Sequence, residues 1–271
     1  MKIGNREFDV KNDTYVMGIL NVTPDSFSDG GKFNNLEAAL AHTEEMIKEG
    51  ATIIDVGGES TRPWGYTLIS DEEEIGRVVP VIRAIKEKFD IPVSIDTYKS
   101  KVAEAAIAAG ADLVNDIWGL KYDKNMAKVI ADAGVACCLM HNRDNMEYTN
   151  FMDDMLADLK ETVQLAKEAG IADDKIMLDP GVGFAKSYEN NLEAIQKVGR
   201  LHELGYPVLL GTSRKSVVGL TLDTTKDERV EGTLVTTVFG VQQGCAFVRV
   251  HDVKENMRAI RMTQAICRKQ S

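Results

Sequence analysis

The chain is poor in the features that mark secreted and membrane proteins. It has four cysteines among 271 residues, none of them in a C-x-x-C pair, and its four histidines are not spaced for a zinc site. It contains no run of 18 apolar residues, and its first residues, Met-Lys-Ile-Gly-Asn-Arg-Glu, hold no apolar segment of a secretory signal. We therefore predict reduced thiols, a cytoplasmic location and no membrane-spanning helix.

Linkers rich in glycine or proline, low-complexity tracts and long blocks of like charge are also lacking. Length alone would allow two domains, but without such a boundary we predict that residues 1–271 form a single domain. The net charge is −10, from 42 acidic and 32 basic residues. Because an acidic chain is a poor general binder of nucleic acid or anionic membrane, we expect neither partner. An anionic ligand would need a local group of cations.

The sequence does contain eight short apolar runs that each end on polar, potentially reactive residues. These polar residues are Asn21, Asp55, Asp96, Asn115 with Asp116, His141, Asp179, Ser213 to Lys215, and Arg249 to Asp252. Buried strands explain the apolar runs, but they do not explain why the functional groups always follow the strand. In a parallel barrel the carboxyl ends of all strands open on one face, which carries the chemistry. The pattern therefore predicts an α/β fold, a (β/α)8 TIM barrel, with its site at that face.

The segments between these runs have the periodicity of amphipathic helices. Helices are predicted over residues 35–49, 71–88, 99–109, 123–133, 151–169, 189–204, 227–243 and 253–267, and six of them are followed by glycine. An open dinucleotide-binding sheet is the alternative, but it would place G-x-G-x-x-G after the first strand, where none occurs. The triplet Gly181-Val182-Gly183 lacks the third glycine, and we interpret it as a tight turn.

Two polar loops follow the first two strands. The loop 21–33 is rich in hydroxyl and carboxylate groups; it is either a solvated connection or, because it holds Phe27, a lid or substrate contact. Asn21 stands at the strand end, where its carbonyl oxygen could bind a hard cation such as Mg²⁺. In the second loop Thr61 and Arg62 are suited to a phosphate or carboxylate, although Arg62 could instead form a surface ion pair.

Asp96 and Asp179 end two strands that the sequence predicts to be buried. A buried carboxylate must be paired or bound to donors. Together with Asn115, the two carboxylates suit a flat heterocycle with several N–H groups, because a guanidine-like edge is bound by a bidentate carboxylate. The alternative is that each aspartate caps a helix or binds loop amides.

Three basic groups follow the last two strands. Lys215 comes after the seventh strand, and Arg249 and His251 come with the eighth. Barrel enzymes often bind phosphate with the loops after these two strands. The sequence therefore predicts an anion site with two fixed cations and one titratable group.

Seven segments in order along the chain resemble the dihydropteroate synthase family. They are Asn21-Val-Thr-Pro-Asp-Ser-Phe-Ser-Asp-Gly-Gly31, Asp55-Val-Gly-Gly-Glu-Ser-Thr-Arg-Pro63, Ser94-Ile-Asp-Thr97, Val114-Asn-Asp-Ile117, Asp179-Pro-Gly-Val-Gly-Phe184, Ser213-Arg-Lys215 and Arg249-Val-His-Asp-Val253. The first two are long and specific, whereas Ser-Ile-Asp-Thr alone is weak. The chain departs from the family at Trp64, where a small residue is expected, and at Val182, where isoleucine is common.

The resemblance implies a homodimeric TIM-barrel enzyme of folate biosynthesis that condenses 6-hydroxymethyl-7,8-dihydropterin diphosphate with p-aminobenzoate, with Mg²⁺ as cofactor. It further implies catalytic roles for Asp96, Lys215 and Arg249. The pterin would bind to Asp96, Asn115, Asp179 and Lys215, and the diphosphate to Thr61, Arg62, Arg249 and His251. The p-aminobenzoate would bind to Phe27, Pro63, Phe184, Lys215 and Ser216, and the metal to Asn21.

Two other classes remain open at this point. A pterin-dependent methyltransferase barrel would share the pterin carboxylates, but it does not need the long loop 21–31 or the Thr61-Arg62 pair. A catalytically silent pterin-binding paralogue should have lost loop or anion residues, and here all of them are present. The synthase is therefore the favoured interpretation.

Overall fold

The structure is a computed structural model that describes residues 1–22, 32–59 and 68–267. Eight parallel strands form its centre: β3 (Tyr15–Asn21), β4 (Ile53–Gly57), β5 (Val93–Asp96), β6 (Leu113–Asp116), β7 (Ala136–Met140), β8 (Ile176–Asp179), β9 (Leu209–Leu210) and β10 (Phe247–Val250). An antiparallel hairpin of β1 (Lys2–Ile3) and β2 (Arg6–Glu7) precedes them.

The helices surround the strands in alternation with them. They are α1 (Lys32–Glu49), α2 (Asp71–Lys88), α3 (Ser100–Ala108), α4 (Met126–Ala133), α5 (Phe151–Glu168), α6 (Tyr188–Gln196), α7 (Ser216–Leu222), α8 (Val230–Gln242) and α9 (Val253–Cys267). Short 3-10 helices cover Asp173–Lys175, Val198–Leu204 and Lys226–Glu228. In the parts of the chain that the structure describes, no helix combines the length and apolar character needed to cross a membrane.

The strands close into a barrel, which confirms the predicted fold. Their order in the sheet is β8-β7-β6-β5-β4-β3-β10-β9, with parallel pairing throughout. A parallel bridge between Leu178 and Val208 joins the two ends of this order. All eight carboxyl ends therefore open on the same face, as a (β/α)8 barrel requires.

Side chains alternate between the inside and the outside of the barrel, because the strand period is two. Cys137 packs with the residues between strands and helices, whereas its neighbour Cys138 packs with the residues inside the barrel. All four cysteines are free thiols in the structure. On β4, β6, β8 and β10 an apolar inward residue is followed two positions later by a polar one: Ile53 by Asp55, Leu113 by Asn115, Met177 by Asp179 and Phe247 by Arg249.

The predicted helix boundaries are largely confirmed, with two corrections. The glycines after six helical segments, at 50, 110, 134, 170, 205 and 244, all adopt positive φ, so they stop the helices as expected. The helix predicted over 189–204 is wrong as a single element, because α6 ends at Gln196 and a 3-10 helix follows. The cause is tertiary: the N–H of Gly199 donates to Oε1 of Gln243, 3.1 Å away, instead of continuing the α-helical ladder. The predicted helix 227–243 likewise divides at Arg229.

The hairpin β1–β2, which the sequence did not predict, closes the amino-terminal end of the barrel. Ile3 and Phe8 are buried against the first inward residues of the strands. The Phe8 ring lies 4.9 Å from that of Tyr15 and 5.4 Å from that of Phe247, measured between centroids. This end of the barrel is therefore an apolar plug, opposite the face where the polar residues collect.

Phe8→Ala should lower the stability of the protein without changing its chemistry. Phe8 is 1 % exposed, and removing a buried phenyl ring costs about 3–5 kcal/mol of unfolding free energy. Urea denaturation should show this loss, whereas Leu192→Ala, at a residue 40 % exposed on α6, should change stability by about 0.5 kcal/mol or less. A Phe8→Ala protein that is as stable as the wild type would show that the hairpin is not a plug.

Candidate active site

Five residues that the sequence selected meet at the carboxyl end of the barrel. Asp96, Asn115 and Asp179 occupy inward positions at the ends of β5, β6 and β8, and each is 4 % exposed. Arg249 lies within β10 rather than after it, and Lys215 lies in the turn before α7. The strand alternation turns these groups into one cavity mouth, as the sequence pattern predicted.

Arg249 is the centre of a buried ion-pair network. Its Nε donates to Oδ2 of Asp55 at 2.6 Å, and its Nη2 donates to Oδ2 of Asp96 at 2.7 Å. Asn115 Nδ2 lies 3.4 Å from both Asp55 Oδ2 and Asp96 Oδ1. One guanidinium therefore compensates two carboxylates that water hardly reaches.

The network leaves a carboxylate oxygen at the mouth of the barrel without a donor from the described part of the chain. Burial raises the pKa of Asp96 to about 7, against the lowering effect of Arg249, and the Asp55 carboxylate raises it further. Oδ1 of Asp55 is buried and has no hydrogen-bond partner within the described residues. Such a site favours a ligand that brings N–H donors or positive charge, because both would relieve the unpaired carboxylate oxygens.

Asp179 and Lys215 form the other side of the mouth. Oδ1 of Asp179 accepts from the N–H of Gly181 at 2.6 Å, so one carboxylate oxygen does bind a loop amide, as the alternative interpretation stated. A methyl group placed on Gly211 would lie 3.5 Å from Oδ2 of Asp179 and 3.9 Å from Nζ of Lys215. Gly211 thus leaves open space between a carboxylate and an ammonium group.

The Lys215 side chain also touches the turn after β8. Its Nζ donates to the carbonyl of Val182 and lies 4.9 Å from the centroid of the Phe184 ring. Burial lowers the pKa of Lys215 to about 8, although the Asp179 carboxylate opposes this shift. Lys215 can therefore act as a hydrogen-bond donor to a ligand that lies beside Asp179 and Phe184.

The remaining described candidates line the rim. Nδ1 of His251 lies 3.0 Å from Oγ of Ser213, and Ser216 is exposed at the start of α7. Asn21 is exposed at the end of β3. A methyl group on Gly57 would lie 3.6 Å from Oδ1 of Asn21 and 3.6 Å from Oδ2 of Asp96, so Asn21 stands beside the Asp96 carboxylate. Four other candidates lie outside the described residues: Phe27, Thr61, Arg62 and Pro63.

Sequence reasoning selected no role for several polar groups that the fold buries here. Asp55 is the first, although its place between Ile53 and Gly57 on the inward face of β4 could have shown that it points into the barrel. Lys99 is another: its Nζ binds Glu59 at 2.5 Å, Glu74 at 2.8 Å and the carbonyl of Ile69 at 2.9 Å. No sequence signal brings these together, because residue 59 follows β4, residue 74 lies in α2 and residue 99 precedes α3.

Comparison with known proteins agrees with this geometry. A family model described as pterin binding enzyme matches residues 17–251. The dihydropteroate synthase of Clostridium beijerinckii is 64% identical over 270 residues, which cover 99% of this chain and 100% of that protein. The chain belongs to the dihydropteroate synthase family. It is therefore an enzyme of the transferase class.

Solved structures of dihydropteroate synthases have the same fold. The enzyme from Clostridium difficile, crystallised in the presence of pteroic acid, superposes with a TM-score of 0.94 at 52% identity, covering 97% of this chain and 100% of that one. The Yersinia pestis enzyme in a sulfonamide complex gives a TM-score of 0.91 at 41% identity, covering 98% of each chain. Both likenesses extend over the barrel and its mouth.

The pH dependence of stability should reveal the neutral state of the half-buried His251. Burial, followed by the nearby Arg249 and Arg214, lowers its pKa to about 3 from an ordinary value of 6.5. Between pH 3 and 6.5 the imidazole is therefore protonated in the unfolded chain and neutral in the folded protein. The contribution of His251 to the unfolding free energy is fully present above pH 6.5 and decreases as the pH falls. The loss is at most about 1.4 kcal/mol per pH unit from this residue.

Urea denaturation of wild type and His251→Gln at pH 7.5, 6 and 5 measures this effect. The unfolding free energy of the wild type should fall more steeply with acid than that of the variant, and the comparison at pH 7.5 gives the baseline cost of the substitution. Parallel pH curves for the two proteins would contradict a neutral His251 in the folded protein.

Proposed function

We propose that the protein condenses 6-hydroxymethyl-7,8-dihydropterin diphosphate with p-aminobenzoate, giving 7,8-dihydropteroate and diphosphate in folate biosynthesis. The observation that carries this proposal is the meeting of Asp55, Asp96, Asn115 and Asp179 with Arg249 and Lys215 in one buried mouth. The Clostridium difficile enzyme was crystallised in the presence of pteroic acid, a molecule that combines a pterin with p-aminobenzoate, and this supports the same assignment.

The pterin is expected to lie flat across the carboxylates. Asp179 and Asn115 can bind the N–H groups along its aminopyrimidine edge, because carboxylate and amide oxygens accept hydrogen bonds in a plane. Lys215 would donate to an acceptor atom of the ring, from the space that Gly211 leaves open. Asp96 would then stand near the carbon that reacts.

The chemical step is a displacement at the methylene carbon next to the pterin ring. The carbon–oxygen bond to diphosphate breaks with its electron pair on oxygen, and the positive charge left on carbon spreads into the ring. Asp96 can stabilise this cation, since its carboxylate is desolvated and fixed by Arg249. The chain's task in this step is mainly electrostatic and positional.

The leaving diphosphate would be held by Thr61, Arg62, Arg249 and His251. Nη1 of Arg249 is not used in its bonds to Asp55 and Asp96, so it can face the anion. Among the described residues, no cluster of three or more acidic, histidine or cysteine side chains could hold a metal by itself. Mg²⁺ fits this site, because it is usually bound by few protein oxygens together with substrate phosphates, and Asn21 Oδ1 is such an oxygen. When bound, Mg²⁺ would neutralise charge on the diphosphate.

The amine of p-aminobenzoate would enter from the rim. Phe184, Lys215 and Ser216 border one side of its pocket, and we assign Phe27 and Pro63 to the same pocket from the family pattern. The neutral aniline nitrogen forms the new bond to carbon and then loses a proton to water or diphosphate, so no strong base is needed. Sulfonamides should compete with p-aminobenzoate, in agreement with the sulfonamide complex of the Yersinia pestis enzyme.

Diphosphate release that depends on p-aminobenzoate tests the proposed function directly. The purified protein, pterin diphosphate and Mg²⁺ should release diphosphate only when p-aminobenzoate is added, and dihydropteroate should form in equal amount. Release without p-aminobenzoate, or no release with both substrates, would contradict the assignment.

Asp96→Asn should reduce turnover by at least tenfold, a loss of about 1.4 kcal/mol in transition-state stabilisation. The amide keeps the shape of the side chain but removes the charge that stabilises the cation. Asp116→Asn is a matched control, because Asp116 is also buried at a strand end but binds the N–H groups of Trp118 and Leu120. The control should keep its turnover per folded molecule, and equal losses in both variants would remove Asp96 from the mechanism.

We further infer a homodimer, formed through helices α7, α8 and α9. Large apolar side chains are exposed on these consecutive helices: Leu220, Leu222, Val235, Phe239, Met262 and Ile266. An exposed apolar surface of this kind is typical of a protein–protein interface. A second copy of the chain is the expected occupant of this surface.

The cytoplasmic location remains a prediction from the sequence.

Phe239→Glu should convert the dimer to a monomer. Phe239 is 44 % exposed in the single chain, and a carboxylate there would have to be buried without a partner in the interface. Light scattering after size-exclusion chromatography should give about 60 kDa for the wild type, twice the 29.8 kDa chain, and about half of that for the variant. A wild-type protein that is monomeric at every concentration would contradict the dimer.

A further inference from the structure

A buried lysine lies behind the active-site turn that joins β8 to α6. Lys186 is 7 % exposed, and its Nζ donates to the carbonyl of Phe184 at 2.9 Å. Its second partner is Nδ1 of His141, 2.8 Å away. Burial lowers the pKa of Lys186 to about 7, and a buried amino group is costly unless its donors are used, so these two contacts require an explanation.

His141 is arranged to accept from Lys186. Its Nε2 lies 2.9 Å from Oδ2 of Asp158, which also binds Nε of Arg143 at 2.5 Å. A proton on Nε2 donates to the carboxylate and leaves the lone pair of Nδ1 for the ammonium group. Burial lowers the pKa of His141 to about 4, which agrees with a neutral ring. Lys186 thus donates both to the Phe184 carbonyl and to His141, which in turn donates to Asp158.

The turn needs such anchors because its backbone is strained. Ala185 has φ of 44°, a left-handed conformation that disfavours a residue with a side chain. Tyr148 Oη donates to the Ala185 carbonyl at 2.8 Å, and the N–H of Gly183 donates to Oδ1 of Asn191 at 2.5 Å. Together with Lys186, these contacts bind three consecutive residues of the turn.

We infer that Lys186 is a positioning residue for the amine substrate, acting through Phe184. The inference deepens the proposed function and rests on it, since Phe184 borders p-aminobenzoate only in that reaction. The backbone of Asp179 is held separately, by pairing of β8 with β7 and by the bond from the His141 N–H to its carbonyl at 2.9 Å, while the charges of Lys186 and Asp179 attract each other. Loss of Lys186 should therefore displace Phe184 more than Asp179, whose position on β8 does not depend on Lys186.

Lys186→Met tests this separation, because methionine keeps most of the volume but donates no hydrogen bond. The KM for p-aminobenzoate should rise by about tenfold or more, and that for the pterin diphosphate should stay within about threefold. A purely structural role would lower the active fraction and kcat without separating the two KM values. Equal changes in both KM values, or no change in either, would overturn the inference.

Two substitutions of His141 separate its acceptor from its bulk. His141→Asn places an amide oxygen near the position of Nδ1, so it can still accept from Lys186, whereas His141→Leu cannot. The asparagine variant should keep a KM for p-aminobenzoate near that of the wild type, and the leucine variant should resemble Lys186→Met. If both behave alike, the hydrogen bond from Lys186 to His141 does not position the turn.

Tyr148→Phe provides a second test of the turn if the Lys186 and His141 variants do not fold. It removes only the hydroxyl that binds the Ala185 carbonyl, and it should raise the KM for p-aminobenzoate in the same selective way, by a smaller factor. Lys86→Met is the matched control, because Lys86 is a half-buried lysine paired with Asp112 at 2.8 Å, away from the mouth. The control should leave both KM values unchanged.

These measurements keep the two proposals distinguishable. Activity of the wild type that depends on p-aminobenzoate tests the proposed function and does not involve Lys186. If the wild type has that activity and Lys186→Met and Tyr148→Phe both show unchanged KM values for p-aminobenzoate, only the positioning role is overturned.

Discussion

The architecture of the site depends on one interaction, the pairing of Arg249 with two carboxylates inside the barrel. Asp55 and Asp96 are 0 % and 4 % exposed, and burying both carboxylates without the guanidinium between them would be costly. Arg249 suits this position because its planar group donates in two directions at once. It does not satisfy the pair completely, since the pKa of Asp96 is still raised to about 7. The remaining negative charge and unused acceptors are what a cationic, N–H-rich ligand would complete.

The barrel divides stability and chemistry between its two ends. At the amino-terminal end, the hairpin and the first inward residues form an apolar cluster that includes Ile3, Phe8 and Phe247. At the other end, the inward positions are carboxylates, an amide and cations that cost free energy to bury. Because the two sets lie on the same strands, the apolar end can hold the polar end in a fixed geometry, as preorganised electrostatic sites require.

A second set of buried charges stands behind the mouth and supports its loops. Lys99 joins Glu59 and the backbone of Ile69, in the connection after β4, to Glu74 in α2. On the opposite side, Lys186 connects the strained turn after β8 to His141. Each lysine is held by partners from separate segments, so these contacts exist only when the whole barrel has formed.

The sequence alone determined the fold class and most of the residues at the mouth. Each apolar run ends on polar residues, which places Asp96, Asn115, Asp179 and Arg249 near the carboxyl ends of strands. The strand period of two turns these side chains inward. A parallel barrel then brings them to the same open face. These are local rules, so they can be applied before any contact is known. The glycine stops after the helices follow from the same kind of local constraint.

Only the tertiary structure decided which residues far apart in the chain become hydrogen-bond and ion-pair partners, because local sequence rules do not predict such contacts. Arg249 binds Asp55 across 194 residues of sequence, and Lys186 binds His141 across 45. Gln243 breaks the helix predicted over 189–204 because its side chain reaches the N–H of Gly199. Electrostatic and hydrogen-bonding energies depend on distance and burial, and the packed barrel sets both for segments that are far apart in the chain.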